Sequence, residues 1–490
     1  MQFIIRADAS FSIGSGHVMR CLTLADSLIE KGHQVSFICN HSPGDLINYL
    51  KENNYSCHPI NIKKNTWQED AKACGHILSS NHKKIDWVIV DSYDLDERWH
   101  KRIRAHASKI LVIDDTVVNK FDADLILNQN ELCDYKKYYS LCSKAKLLLG
   151  NRYTLIKKHI INETKQYSVK DNITQIYLNF GGYDQKKVSI LCLKALSNLK
   201  NASSLNIILH YAKDDALKKI SASYEKAFNR ITFLGFKNDI TQELKCSDLA
   251  IGAGGSSLLE RFCIGIPNIV ISTANNQIEI CQHLNKLKRI FYLGEADTLN
   301  PDLILTKIQP YLNNPNKRIE LSKNAKESID GRGCERIVNI LCTEIKLIAA
   351  TLNHSKLIYT WRNHPQNRSM SLSNNIISAN EHDIWFQKSL QNAKRHIFVA
   401  QNINTKKNQG VCRLDIEHDY AIVSIYLKPN ITGAGFGTII LEALISWAKI
   451  NLTVQELIAE IKPENIKSIK MFLNLGFQWS EKQIYRLILN

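Results

Sequence analysis

The thirteen cysteines of this 490-residue chain include no C-x-x-C pair. Zinc-ribbon and thioredoxin-like motifs are therefore without their ligands, and free buried thiols in a reducing compartment are the expectation. No run of about 18 apolar residues occurs, so hydropathy offers no membrane span. The opening MQFIIRADASFSIGSGH lacks the basic region, long apolar stretch and small-residue cleavage site of a secretory signal, and a cytoplasmic location is expected. Nine prolines and 21 glycines are too few for a collagen-like or low-complexity architecture. Acidic residues are the minority, 47 against 63 Lys plus Arg, giving a net charge of +16 and a preference for anionic partners. The basic pairs Lys63-Lys64, Lys136-Lys137 and Lys406-Lys407 are dispersed, which fits solvated faces better than a nucleic-acid track.

What the chain does have is alternation. Apolar stretches at Phe3–Arg6, Gln34–Cys39, Trp87–Val90, Ile110–Ile113 and Leu125–Asn128 read as strands. Between the first two, Val18, Leu22, Ala25 and Ile29 recur at helical spacing, with Gly32 placed to end the helix. A second set follows at Gln175–Phe180, Leu205–Leu209, Arg230–Leu234, Leu249–Ile251 and Asn268–Ser272, with helices near Lys186–Leu199 and Ser257–Cys263. Strand–helix alternation implies parallel sheets covered by helices. The polar segment Lys157–Asp171 is the expected linker between the two halves. Near Asn353 the order changes: helices at Tyr359–Arg362 and His382–Leu390 precede strands at His396–Gln401, Gly410–Glu417 and Tyr420–Leu427. A glycine loop, a helix at Thr438–Ile450, a strand at Glu456–Ile461, another helix and a strand near Ile484–Ile488 complete an α+β pattern. The expected organisation is a Rossmann-like domain over 1–155, a second over 156–350 and an α+β domain over 351–490. No internal repeat of 20–50 residues is visible.

Three glycine turns carry chemistry in the first two domains. In Arg6-Ala7-Asp8-Ala9-Ser10-Phe11-Ser12-Ile13-Gly14-Ser15-Gly16-His17, Gly14 and Gly16 let backbone approach a ligand where a helix begins. A helix N-terminus disfavours imidazolium, so His17 is expected to be neutral and able to take a proton from water. In the second domain Phe180-Gly181-Gly182-Tyr183-Asp184 and Ala253-Gly254-Gly255-Ser256-Ser257-Leu258-Leu259-Glu260 both join a strand to a helix. Bared amides at Gly254 and Gly255 with the Ser256 and Ser257 hydroxyls suit a diphosphate, and Glu260 one turn on can accept from ribose hydroxyls.

The string Arg6-x-Asp8-x-Ser10, Ile13-Gly14-x-Gly16-His17, Arg20-Cys21-Leu22 resembles the UDP-sugar hydrolases of pseudaminic acid biosynthesis, relatives of two-domain (GT-B) glycosyltransferases such as the lipid II GlcNAc transferase. The resemblance spans roughly 1–345 and recurs at Val90-Asp91-Ser92-Tyr93-Asp94-Leu95-Asp96, Ile113-Asp114-Asp115, Leu127-Asn128-Gln129-Asn130 and Leu149-Gly150-Asn151-Arg152-Tyr153. Serine stands at 92 where that family usually has histidine. It implies cleavage of UDP from UDP-2,4-diacetamido-2,4,6-trideoxy-β-L-altropyranose, with His17, Tyr93 and Asn276 as catalytic residues and no metal. Gly14, Gly16, Arg20, Gly181, Gly182, Gly254, Gly255, Ser256, Ser257, Glu260 and Gln277 would then bind the substrate. Asn276 and Gln277 fall in Ala274-Asn275-Asn276-Gln277, which matches the family's Asn-Gln element.

In the last domain, Lys428-Pro429-Asn430-Ile431-Thr432-Gly433-Ala434-Gly435-Phe436-Gly437-Thr438 bridges a strand and a helix with successive amides able to bind a pyrophosphate. With Asn465 to Phe477 downstream it resembles the GNAT acetyltransferases. Trp361-Arg362-Asn363, Arg368 and Glu381 to Phe386 are similar to the opening of the branch that acetylates sugar-nucleotide amines in the same pathway. The resemblance implies acetyl-CoA as cosubstrate, held by Gly433, Gly435, Gly437, Thr438, Asn465 and Ser468. Two positions depart from the pattern: Thr432 replaces the usual Arg or Gln, and Phe472 replaces a tyrosine that often serves as general acid. Together the resemblances imply a bifunctional enzyme that acetylates a UDP-linked 4-amino sugar and then hydrolyses the product. The alternatives are a glycosyltransferase fused to an acetyltransferase, and a non-catalytic UDP-sugar sensor with a decayed GNAT domain.

Overall fold

The computed structural model describes residues 1–62, 66–80, 84–142, 144–163, 167–181, 184–210, 215–235 and 239–489. Among them, short Val/Ile/Leu-rich runs form the strands, because a run buried on both faces suits a parallel sheet with helices on either side. The first sheet holds β1 (Gln2–Ala7), β2 (Gln34–Asn40), β3 (Ser56–Ile60), β4 (Ile85–Asp91), β5 (Ala107–Ile113), β6 (Leu125–Asn128) and β7 (Lys146–Leu149), all parallel, in the order β3-β2-β1-β4-β5-β6-β7. The second holds β8 (Gln175–Asn179), β9 (Asn206–His210), β10 (Arg230–Leu234), β11 (Leu249–Ala253), β12 (Asn268–Ser272) and β13 (Phe291–Glu295), parallel in the order β10-β9-β8-β11-β12-β13. In each sheet the strand order reverses beside the first strand, between β1 and β4 and between β8 and β11. A crevice for ligand opens at such a switch point, beyond the carboxyl ends of the strands.

The helix Gly16–Ile29 buries Val18, Cys21, Leu22, Ala25 and Leu28. Ile29, expected on this face, is instead exposed, because the apolar stripe passes through Leu28. Gly32, at φ +81°, ends the helix: its N–H donates to the Ile29 carbonyl and that of His33 to the Leu28 carbonyl. The expected linker also differs. In Lys157–Asp171 a helix runs Lys158–Glu163, Ile160 is fully buried among second-domain core residues such as Phe262, and residues 164–166 lie outside the described ones.

The chain divides into two compact units, Met1–Cys334 and Glu335–Asn490, so the two parallel-sheet domains form one body. Its parts are tied where the chain crosses back: Asn151 Nδ2 donates to the Ser328 carbonyl at 2.6 Å, and a Cβ on Gly333 would lie 2.1 Å from the Thr154 carbonyl oxygen. The second unit is an α+β domain around one mixed sheet. Its strands are β14 (Ile345–Ala349), β15 (Arg395–Asn402), β16 (Asn408–Glu417), β17 (Tyr420–Leu427), β18 (Glu456–Glu460), β19 (Gln478–Glu481) and β20 (Ile484–Ile488), ordered β14-β15-β16-β17-β18-β20-β19. Only β17 and β18 pair in parallel. β14 adds antiparallel to β15, so this sheet begins ahead of residue 351. The architecture, two Rossmann-like domains followed by an α+β domain, is the one expected from the sequence. Among the described residues no helix is long and apolar enough to cross a membrane.

Candidate active site

In the first unit, loops from both switch points line one cleft of about 450 Å³. On one side stand the turn Phe11–His17 and Tyr93; on the other, Gly181, Gly254 to Ser257, Glu260 and Asn276. His17 is buried at 7 % exposure yet lines this cleft. Its Nδ1 lies 2.6 Å from Oδ1 of Asp91, the last residue of β4, which β1 brings alongside by pairing Ala7 with Asp91. With a carboxylate on that side, Nδ1–H donates, which in the neutral ring leaves the lone pair on Nε2. The ring is thus fixed by a side chain from another strand, where the sequence alone pointed to the helix terminus. Tyr93 packs edge-on against it, ring centroids 4.7 Å apart.

Asp91 is fully buried and bound by more than histidine. Arg20 donates to both its oxygens at 2.6 Å and reaches Asp115 at 3.0 Å. Burial alone would raise the Asp91 carboxyl, but Arg20 and then His17 reverse that and hold it well below the usual carboxylate range. Tyr93 donates to Asp115 at 2.5 Å; burial, and then the Asp115 charge, push its phenol well above the ordinary value. Arg20, expected to bind the substrate, lines the cleft with its guanidinium held by Asp91 and Asp115, so that the same side chain also fixes the carboxylate beside His17. Arg6 and Asp8 of the same motif are structural. Arg6 is buried between Asp8 and Asp70, both at 2.5 Å, and Asp8 accepts the Asn40 amide at 2.7 Å.

The glycines divide by what their amides do. Gly14, at φ +79°, closes a tight loop with Ser10 through hydrogen bonds in both directions, and the Gly181 amide donates to Asn179 Oδ1 at 2.8 Å. Both amides are used within their turns, while both residues line the cleft in which they are expected to meet the substrate. Gly182 lies outside the described residues. At Gly254 a Cβ would fall 2.4 Å from the Cys281 sulfur, so only glycine fits there. A Cβ at Gly16 would face Ser256 Oγ across the cleft at 3.7 Å. The helix Ser257–Ile264 opens at Ser256 with no side-chain cap among the described contacts; the Leu258 and Leu259 amides return to the Gly255 and Ser256 carbonyls at 3.0 and 3.1 Å, so the terminus offers the cleft the earlier amides at Ser256 and Ser257 together with its dipole. Glu260 sits half-buried in its first turn; burial pushes its carboxyl up, against the pull of Lys157 and Arg261. Gln277 Oε1 accepts from the Thr273 amide at 3.0 Å, so that side of its amide is committed, while Asn276 is exposed beside it.

Sequence reasoning missed Asp91 and Asp115 as site residues, although both lie in stretches it singled out. It also missed His210, whose Nδ1 accepts from Tyr177 Oη at 2.6 Å and Asn179 Nδ2 at 3.1 Å at the cleft wall. Burial lowers that imidazole to about 4.

In the second unit the glycine loop follows β17 and opens the helix Phe436–Asn451. Gly433 and Gly435 hold φ of +86° and +91°, a region that only glycine occupies freely. A Cβ on Gly437 would lie 2.8 Å from the Met471 sulfur. Thr438, expected as a carrier contact, is buried at 2 % exposure and returns its amide to the Gly435 carbonyl at 3.1 Å, so it belongs to the helix core. Asn465 caps the helix Ile466–Asn474 by accepting the Ser468 amide at 3.3 Å, a role compatible with the carrier contact expected of it. Phe472 is buried edge-on against Phe477, centroids 4.8 Å apart. No cluster of three His, Cys, Asp or Glu suited to a metal occurs among the described residues.

With this geometry established, comparison with known proteins gives two domain matches. Residues 176–337 match the glycosyltransferase family 28 C-terminal domain and residues 345–478 the acetyltransferase (GNAT) domain. A Methanocaldococcus jannaschii protein described as uncharacterised is 24% identical over 98% of this chain and 98% of its own length. The UDP-2,4-diacetamido-2,4,6-trideoxy-beta-L-altropyranose hydrolase of Campylobacter jejuni is 25% identical over 56% of this chain and 93% of that enzyme. Acetyltransferase PseH, also from Campylobacter jejuni, is 27% identical over 27% of this chain and 84% of that protein. The chain therefore resembles a sugar-nucleotide hydrolase and an acetyltransferase joined in one polypeptide.

Proposed function

We propose that the chain catalyses two consecutive steps on one UDP-linked sugar. In the second unit the C4 amine of UDP-4-amino-4,6-dideoxy-N-acetyl-β-L-altrosamine attacks the thioester carbonyl of acetyl-CoA; the C–N bond forms, the C–S bond breaks, and the amine proton passes to the departing thiolate. The resulting UDP-2,4-diacetamido-2,4,6-trideoxy-β-L-altropyranose is hydrolysed in the first unit. A water held by His17 gives its proton to Nε2 as its oxygen bonds to C1, and the C1–O bond to UDP breaks. The amides at the start of Ser257–Ile264 stabilise the charge of the departing diphosphate, and Glu260 accepts from the ribose. Residues 1–155 then supply the base, 156–350 the nucleotide site, and 351–490, with β14, the acetyl transfer.

The observation that carries this reading is the His17–Asp91 pair facing a bared helix N-terminus across one cleft. A phosphate leaving group needs little acid help, so a base on one wall and fixed dipoles on the other are sufficient machinery. The same scaffold with an acceptor hydroxyl replacing water is a transferase. Mass spectrometry of the products from the 4-amino UDP-sugar separates the two. Free diacetamido sugar and UDP are expected, formed only when acetyl-CoA is present. UDP release that requires an added acceptor, or UDP bound without turnover, overturns the proposal.

A further inference from the structure

The helix Gly333–Cys342 carries two side chains aimed at the backbone of the 433–437 loop. Within the second unit, Arg336 Nε donates to the Gly433 carbonyl at 2.6 Å and Asn339 Nδ2 donates to the Ala434 carbonyl at 2.8 Å. Three residues apart, the two share one helix face. Arg336 is 2 % exposed, and a Cβ at Gly435 would stand 3.1 Å from its carbonyl oxygen, so this helix lies directly against the loop. The 176–337 domain match ends inside this helix and the acetyltransferase match begins only at 345. Neither similarity therefore assigns Arg336 or Asn339 to acetyl transfer.

We infer that Arg336 and Asn339 are positioning residues for the acyl-carrier loop. In a trans peptide the C=O and the following N–H point in opposite directions. Tying the Ala434 carbonyl to Asn339 therefore turns the Gly435 amide to the face away from the helix, and tying the Gly433 carbonyl to Arg336 fixes the plane before it. Gly433 and Gly435, both at positive φ, give this loop a backbone freedom that other residues would not have. The two donors restrict that freedom before a ligand arrives, so a pyrophosphate meets amides already aligned. The guanidinium also brings a positive charge beneath the loop, whose first residue, Thr432, carries none.

This inference rests on the reading of the loop as the acetyl-CoA site, and its test separates the two. Acetyl transfer by the full chain is measured with acetyl-CoA and with S-acetylpantetheine, which has the same thioester but no pyrophosphate. Arg336→Ala is expected to raise KM for acetyl-CoA about tenfold or more with little change in kcat, and to leave the acetylpantetheine rate where it was. Asn339→Ala, a milder change at a half-buried side chain, is expected to raise KM several-fold in the same donor-selective way, and Arg336→Lys to restore part of the loss. Equal losses with both donors, or no change with either, overturn the positioning role. A wild-type enzyme that uses both donors equally well overturns the carrier-site reading and this inference with it.

Discussion

The two glycine turns that open helices at 14–17 and at 433–437 look alike in sequence and are surrounded differently, as the two proposed roles require. The first ends in a titratable side chain, and buried charges converge on it: Asp91 on His17, Arg20 on Asp91, and Asp115 on Arg20 and Tyr93. The second ends in backbone, and what converges on it is close packing and two donors to its carbonyls, the Arg336 guanidinium and the Asn339 amide, with no carboxylate bonded to either glycine among the described contacts. Moving a proton needs a ring held in one tautomer, and that takes ions from several strands. Cradling a pyrophosphate needs aligned amides, and those come from φ angles that glycine permits.

The largest effect should come from breaking the charged side of this contrast. His17→Ala is expected to lower kcat for UDP release about 10²- to 10⁴-fold, the usual contribution of a general base. Asp91→Asn should approach the same loss, since an amide cannot hold the Nδ1–H tautomer and also leaves Arg20 without its main counter-charge. Single-turnover UDP release from the acetylated substrate measures both. Acetylation of the amino sugar by the His17 variant should continue; if it stops as well, the two sites are not chemically separate.

Stability against acid should distinguish the units next. Burial pushes His100 and His210, both in the first unit, down to about 4. Unfolded histidines titrate near 6.5. Between pH 6.5 and 4 the unfolded chain therefore binds more protons than the folded one, and the first unit loses up to about 3 kcal/mol per histidine as pH falls through that window. Asp91 acts lower still: depressed in the fold, it stabilises above the ordinary carboxylate pKa near 3.9 and that contribution is lost only below it. Calorimetry at pH 7 and pH 5 should show the first unit's transition dropping, and replacing both histidines with glutamine should flatten the dependence.

Much of this was readable from sequence where the physics is local. The central strands announce themselves as apolar runs, and the glycine turns as places where backbone must bend. Both edge strands of the first sheet escaped that reading: β3 is half-exposed and carries Pro59, and β7 is only four residues long. The motif Ile13-Gly14-Ser15-Gly16-His17 located the proposed base, but Asp91 is 74 residues away and meets it only because β4 lies beside β1. A carboxylate ending a buried strand at Val90-Asp91 was the available signal. Nor could spacing tell which glycines spend their amides on the turn itself, as Gly14 and Gly181 do, and which keep them for a ligand.

On the backbone side of the contrast, Gly435→Asp combines a forbidden φ with a Cβ that meets the Arg336 carbonyl at 3.1 Å. KM for acetyl-CoA should rise about ten- to a hundredfold, while hydrolysis of substrate acetylated beforehand persists. Full acetyl transfer by this variant would move the carrier site elsewhere.

The smallest expected effect bears on whether the second unit has lost its acid. If Phe472 marked a decayed tyrosine, Phe472→Tyr should raise acetyl transfer. The ring, however, is 3 % exposed and locked edge-on against Phe477 within a cluster that includes Met471 and Leu444. A hydroxyl introduced there has to be desolvated, at a cost of about 1–3 kcal/mol when it finds no partner. The expected outcome is a Tm lower by a few degrees with kcat unchanged. That result would mean the thiolate is protonated by water or by another group, and that the phenylalanine serves the core. A several-fold gain in kcat would instead show that this position faces the reacting sulfur, and the second unit would then join the first in depending on a side chain that titrates.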